Sequence, residues 1–165
     1  MVSVVIATLN REAMLRRTIE VLLSREDYHP FELIVVDQTE QHEEATTRYL
    51  ESVSSRIIHR RATYKSLPRA RNEGLEVAKG EIVVFIDDDV ETGHGFLAAH
   101  VVPYADEKVW AVTGPAPSPG EALLGRHEIS DEQYEKLFVD DRLLLNVDFD
   151  FEPCSWGVGC NLSVR

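Results

Sequence analysis

The sequence predicts an α/β domain with a mostly parallel central sheet flanked by helices. Three observations carry that expectation. Short β-rich runs alternate with amphipathic helical stretches, the pattern of strands joined by crossover helices. The first run, Val2 to Ala7, is continuously apolar, as suits a central parallel strand buried on both faces. Two runs, "FELIVVDQ" and "EIVVFIDDDV", carry aspartate at their carboxyl ends, so negative charge collects at one edge of the sheet.

The elements follow in order. Thr8, Leu9 and Asn10 form a polar turn after the first strand, and Arg11 to Ser24 then places Met14, Leu15, Ile19, Leu22 and Leu23 at helical spacing. Pro30 introduces a second strand, Phe31 to Gln38; Glu43 to Ser52 reads as a helix, and Arg56 to Arg61 as a third, shorter strand. Pro68 suits the first turn of a helix reaching Lys79, with Gly80 at the C′ position. The fourth strand is Ile82 to Ile86. A helix over Thr92 to Tyr104 and a fifth strand over Lys108 to Pro115 come next, with Trp110 expected in the core. Beyond that the organisation changes. Pro115 to Glu121 reads as a loop, Asp131 to Val139 as a short helix, and "LLLNVDFDFEP" as a partly exposed strand. The final "CSWGVGCNLSVR" is glycine-containing and then strand-like. At 165 residues and 44% hydrophobic content the chain is expected to form one domain.

Charge narrows the function. A net charge of −12 excludes a nucleic-acid binder, which needs a basic face for phosphates, and disfavours anionic membrane surfaces. A phosphate-bearing substrate would need a cation as mediator. Cys154 and Cys160 form neither CxxC nor a metal-type cluster and are expected to be reduced thiols. The start "MVSVVIATLN" has no basic region and no long apolar run, so the expected location is cytoplasmic, or peripheral to a membrane, with no transmembrane segment in this chain.

In an open parallel sheet, ligands bind outside the carboxyl ends of the strands. Thr8, Asn10 and Arg11 follow the first strand, Asp37 ends the second, and Asp87, Asp88 and Asp89 leave the fourth. Asp37 alone fits a turn as well as a ligand contact. Three adjacent aspartates at the end of a buried strand repel one another strongly unless a cation or hydrogen bonds compensate. An oxygen-loving divalent ion, Mg²⁺ or Mn²⁺, is the expected compensation, with an acidic helix N-terminus as the alternative. The six histidines look scattered; only His94 and His127 are singled out, and a surface position is the expected reading of His127.

The ordered set "VSVVIATLNR", "FELIVVDQT" and "LPRARNEGLEVAKGEIVVFIDDDV" resembles the family 2 glycosyltransferases of the GT-A fold, over Val2 to Gly114. The resemblance implies a Rossmann-like sandwich that uses a nucleoside-diphosphate sugar, most commonly a UDP-sugar, and inverts the anomeric carbon. It divides the chain into a nucleotide-binding core, 1–114, and an acceptor-side portion, 115–165. It also implies roles. Thr8 would contact the nucleotide, with Asn10 and Arg11 shaping that turn, and Asp37 would accept a hydrogen bond from the base or ribose. Gln38 and Thr39 stand where the family often has a second Asp and a Ser. Arg71 and Asn72 would line the cleft, Asn72 serving alternatively as a cap. Asp87 would contact the ribose and Asp89 the metal, with Asp88 between them. The ion would bridge the two phosphates and stabilise the diphosphate leaving group. Trp156, Gly157 and Gly159 look like the segment shaping donor sugar and acceptor.

A general base is also needed to deprotonate the acceptor hydroxyl, whose identity (sugar, lipid or polysaccharide) the sequence does not fix. The family's acidic pair follows such a glycine segment, so the base is expected beyond Arg165. Asp131, Asp140, Asp141, Asp148 and Asp150 are the alternatives within the chain. Two other readings stay open. One is a catalytically incomplete sugar-nucleotide-binding or interaction module. The other is a haloacid-dehalogenase-like phosphatase with Asp87 as nucleophile and Asp89 as acid/base, although three β-α units precede the motif here. A P-loop NTPase is excluded, because no GxxxxGK[ST] loop exists.

Overall fold

The computed structural model describes residues 1–114, 138–139, 142–143 and 161–165. Strands β1 (Val2–Thr8), β2 (Phe31–Asp37), β3 (Ile57–Arg61) and β4 (Ile82–Asp87) alternate with helices α1 (Glu12–Arg25), α2 (Glu44–Ser52) and α3 (Leu67–Val77). Helix α4 (Phe96–Val101), a 3₁₀ turn (Val102–Ala105) and β5 (Ala111–Thr113) follow. Two short strands, β6 (Phe138–Val139) and β7 (Arg142–Leu143), pair with each other, and β8 (Asn161–Val164) ends the chain.

The main sheet has the order β3-β2-β1-β4-β8-β5. Its first four strands are parallel, while β8 runs antiparallel between β4 and β5. β1 is the central strand of the parallel part, and each of its seven residues is buried. Alternation along the strands sorts the core into two layers. Val2, Val4 and Ile6 pack with Leu15, Ile19 and Leu22 of α1, Leu50 of α2 and Leu97 of α4. Val5 and Ala7 face the other way, with Ile34, Val36, Val83 and Phe85, and are covered by Ala70 of α3.

The first four strands and three helices fall within two residues of the positions expected from the sequence. The departures have local causes. Gly80 is not a left-handed C′ residue: α3 stops at Val77 with an extended C-cap, and Gly95 is the glycine with positive φ among the described residues. Gly80 is needed instead for close approach, since a Cβ there would lie 2.5 Å from the Ser3 backbone nitrogen. The helix expected from Thr92 begins only at Phe96, after Gly95 takes φ 69°. Pro103 then tightens its end into the 3₁₀ turn, because proline has no N–H for an α-helical bond.

The fifth strand shrinks to three residues. The Asp106 carbonyl accepts from the Val109 N–H and its carboxylate from the Lys108 N–H, so a turn occupies the expected strand start. Trp110 is consequently 74% exposed rather than in the core. The helix expected to end at Val139 is contradicted at its last two residues, whose backbones pair with Arg142 and Leu143. A backbone N–H committed to a ladder cannot also close a helical turn. The rest of that helix, the 115–121 loop, most of the 143–153 strand, His127, Cys154 and Cys160 lie outside the described residues.

A buried polar cluster ties β8 to the rest. His100 on α4 approaches the Asn161 side-chain oxygen at 2.7 Å and the Ser163 hydroxyl at 3.0 Å, and the Tyr104 hydroxyl lies 2.9 Å from that of Ser163. His100 is 1% exposed, and burial pushes its pKa down to about 4.

Two predictions follow from this packing. A Cβ on Gly74 would overlap the Val5 side chain on β1, so Gly74→Ala should cost about 1–3 kcal/mol by overpacking, read by urea denaturation. For His100, the folded pKa lies below the unfolded value of about 6.5, so the unfolded chain binds the extra proton between the two. Its contribution is complete above about pH 6.5 and fades towards the folded pKa, a loss of about 3 kcal/mol. In His100→Gln the difference in stability between those two pH values should be correspondingly smaller. An unchanged pH dependence in that variant would refute the assignment.

Candidate functional site

Strand register assembles the site. In the parallel ladders Thr8 of β1 lies opposite Asp37 of β2, and Ala7 lies opposite Asp87 of β4. Three strand ends therefore deliver polar groups to one edge. Gln38 N–H donates to the Thr8 carbonyl, which carries the pairing one step past β2. Asn10 turns the chain away from β1 in the left-handed region, at φ 57°, which asparagine tolerates better than most residues. Its N–H donates to the Thr39 hydroxyl at 2.9 Å.

Asp88 is the keystone of this edge. It is 4% exposed, and the Thr8 hydroxyl donates to its Oδ2 at 2.6 Å. Nη1 of Arg11, at the start of α1, donates to Asp88 Oδ1 at 3.2 Å and also bonds Asp89. The Thr18 hydroxyl, about two turns further along α1, lies 2.9 Å from the Asp88 carbonyl and 3.0 Å from that of Val90. Burial raises the Asp88 pKa, against the opposing pull of Thr8 and Arg11. Asp88 and Asp89 raise that of Arg11 in turn. On the other flank, Arg71 of α3 donates to Asp87 at 2.9 Å. Two arginines and a threonine thus hold the three aspartates, which is how the chain tolerates them side by side.

Beside this edge opens a cavity of about 370 Å³. Thr8, Asp87 and Asp88 border it together with Arg11, and Gln38, Lys65, Ser66 and Leu67 border it where α3 begins. Gln38 is fixed there by its side-chain oxygen, which accepts from the Ser66 N–H at 2.5 Å. Of the residues expected at the site, Thr8, Arg11, Asp87 and Asp88 line the cavity; Arg71 reaches it through Asp87, and Asp89 through Arg11. Asn72 is exposed in the middle of α3, so it is not a helix cap. Trp156, Gly157 and Gly159 lie outside the described residues.

Asp37 sits differently from the other strand-end acids. It is 0% exposed, and protein donors face both its oxygens. The Thr39 N–H donates to Oδ1 at 2.9 Å, while Nε2 of His42 lies 2.5 Å and Nε2 of His59 2.9 Å from Oδ2. Burial works to raise its pKa, but the bonds from His59, Thr39 and His42 prevail and bring it down to about 2.

Sequence reasoning missed Gln38, Lys65 and Ser66 as cavity residues, and His42 and His59 as partners of Asp37. For the first group a signal existed. Pro68 marks the start of α3, and the residues just before a helix start are placed to face an anion. For the histidines none did, since they lie 5 and 22 residues beyond Asp37 in different elements.

With this geometry in hand, residues 3–158 match the family model described as glycosyl transferase family 2. The chain belongs to glycosyl transferase family 2. It is 25% identical over 115 residues to the hyaluronan synthase of Pasteurella multocida, a stretch covering 68% of this chain and 12% of that protein. It is 32% identical over 99 residues to a Campylobacter jejuni protein, GalNAc(5)-diNAcBac-PP-undecaprenol beta-1,3-glucosyltransferase, covering 58% of this chain and 32% of that one. The chain therefore spans a third or less of these relatives. Among solved structures, S. aureus TarS 1–349 in complex with UDP-GlcNAc superposes with a TM-score of 0.61 at 21% identity, over 74% of this chain and 36% of that one. That likeness establishes the GT-A fold.

The Asp88 anchor yields a prediction for this family 2 chain. Thr8→Val keeps the shape but removes a donor from a buried carboxylate, which should cost about 1–3 kcal/mol in urea denaturation near neutral pH. Thr8→Ser should recover most of that loss. Equal stability of Thr8→Val and the unsubstituted chain would show that Asp88 does not depend on the bond.

Proposed function

We propose that the chain is the donor-binding part of a metal-dependent glycosyltransferase that moves a sugar from a nucleoside diphosphate, UDP, to an acceptor hydroxyl. The observation that carries this reading is the cavity at the carboxyl edge of the sheet, where Asp87 and Asp88 meet Arg11, Lys65 and the start of α3. Membership of the family and the UDP-GlcNAc found in a structural neighbour support it.

The residues present fit a hard divalent ion. The Asp87 and Asp89 side chains are 38% and 42% exposed, and both offer oxygen ligands of the kind Mg²⁺ and Mn²⁺ prefer. Asp89 would hold the ion, with Asp87 turned to the ribose. Such an ion supplies neutralisation of the charge that develops on the departing diphosphate. The chain's own groups do the rest. Arg11 and Lys65 offset phosphate charge that the ion does not cover, and Thr8 and Asp88 form the rigid floor. Asp37, locked by its own partners, sets the position of Gln38 at the base end of the cleft. Trp156, Gly157 and Gly159 would shape the sugar and acceptor side.

The test is calorimetric titration of UDP into the chain with and without Mn²⁺. Binding should require the ion, and Asp89→Ala should weaken it at least about tenfold, or about 1.4 kcal/mol. Failure of every common nucleoside diphosphate to bind in the presence of Mn²⁺ would overturn the reading.

A further inference from the structure

The acid–histidine cluster on the β2–β3 side of the sheet is a second feature of the same edge, about 10 Å (two strand spacings) from Asp87. One ligand atom from each of Asp37, His42 and His59 lies within 4.8 Å of the others, and Nε2 of both histidines contacts Asp37 Oδ2. We propose that these three side chains form a binding site for a divalent transition ion of borderline softness, such as Zn²⁺, distinct from the ion expected at Asp89.

The donor set is the first reason. Two imidazoles and one carboxylate, leaving further positions open, suit Zn²⁺ and its first-row neighbours and are unlike the all-oxygen set that Mg²⁺ or Mn²⁺ favours. The hydrogen-bond chemistry is the second. His42 Nδ1 lies 2.9 Å from Glu12 Oε1, so both ring nitrogens of His42 face carboxylates. Carboxylates accept and do not donate, so without an ion His42 needs a proton on each nitrogen to satisfy both. His59 needs one on Nε2 to reach the same Asp37 oxygen. An ion removes all the protons aimed at Asp37 and leaves a neutral His42 donating from Nδ1 to Glu12. That carboxylate–histidine–metal arrangement is what orients metal-binding imidazoles in general.

The fit requires the three ligand atoms, already within 4.8 Å of one another, to settle around one centre. Tetrahedral bonds of about 2.0–2.1 Å hold neighbouring ligand atoms about 3.3 Å apart. The two histidine contacts to Asp37, at 2.5 and 2.9 Å, would open by less than an ångström. Access exists, because the His59 side chain is 25% exposed while Asp37 and His42 are buried beneath it. The ion would fasten the end of β2 to β3 and, through Glu12, to the first turn of α1.

The test is titration of Zn²⁺, and of Co²⁺ as a spectroscopic substitute, into the full chain without nucleotide. One equivalent should bind in the Asp89→Ala background, with a visible Co²⁺ spectrum of nitrogen and oxygen ligation. It should be lost in His59→Ala, a part-exposed position where apo circular dichroism should match that of the unsubstituted chain. Glu12→Gln should retain the site with about 10–100-fold weaker affinity. Three outcomes would overturn the proposal. They are no Zn²⁺ or Co²⁺ binding, binding unchanged in both His42→Ala and His59→Ala, and a thiolate-to-cobalt charge-transfer band, which would place the ion on Cys154 or Cys160. Because no nucleotide is present, none of these outcomes bears on donor binding.

Discussion

One buried carboxylate organises the working edge of this molecule. Asp88 receives a hydroxyl from the last residue of β1 and a guanidinium from the start of α1, while its backbone carbonyl is bound by Thr18 on the same helix. The strand that brings the acids and the strand beside it are thereby locked to the helix joining β1 to β2. A buried charge that loses a partner is far more costly than an exposed one. The same contact that threatens stability when broken therefore fixes where Asp87 and Asp89 emerge. Those two aspartates keep partial exposure because Asp88 takes the burial.

The division of labour extends along the sheet edge. Asp37 and Asp88 are both buried strand-end acids, yet their pKa values move in opposite directions. Asp37 meets two imidazoles and a backbone N–H, enough to overcome the penalty of burial. Asp88 has a hydroxyl and a shared guanidinium, with Asp89 alongside, and burial dominates. Around the cavity the buried Asp88 thus lies beside two basic groups, Arg11 and Lys65.

Much of the parallel part of the fold was legible because the physics there is local. Val2 to Ala7 has no polar residue other than Ser3, and even that hydroxyl is occupied, bonding Glu32. Periodicity places Leu15, Ile19 and Leu22 on one face without any knowledge of the sheet. Legibility failed where distant pairing decides the outcome. Trp110 looks like core from its strand-like run, but it sits just before the three-residue β5 with its side chain turned to solvent. At the site, Thr8, Arg11 and Asp87 to Asp89 could be read from strand ends, whereas Gln38, Lys65, His42 and His59 acquire meaning only once loops and strands converge. The resemblance to family 2 supplied roles for the first set and none for the second.

The placement of β8 has a consequence for how the chain is made. β8 lies between β4 and β5, pairing Ile86 with Asn161 and Val112 with Ser163. On a ribosome, β4 and β5 emerge well before the strand that joins them. Until then β4 presents an unpaired edge, the kind of surface on which chains stick to one another. His100 waits in the same interval for Asn161 and Ser163. The edge built from β1, β2 and β4 can form before that wait ends, so the part of the sheet that carries the proposed donor site is also the part that nascent synthesis completes first.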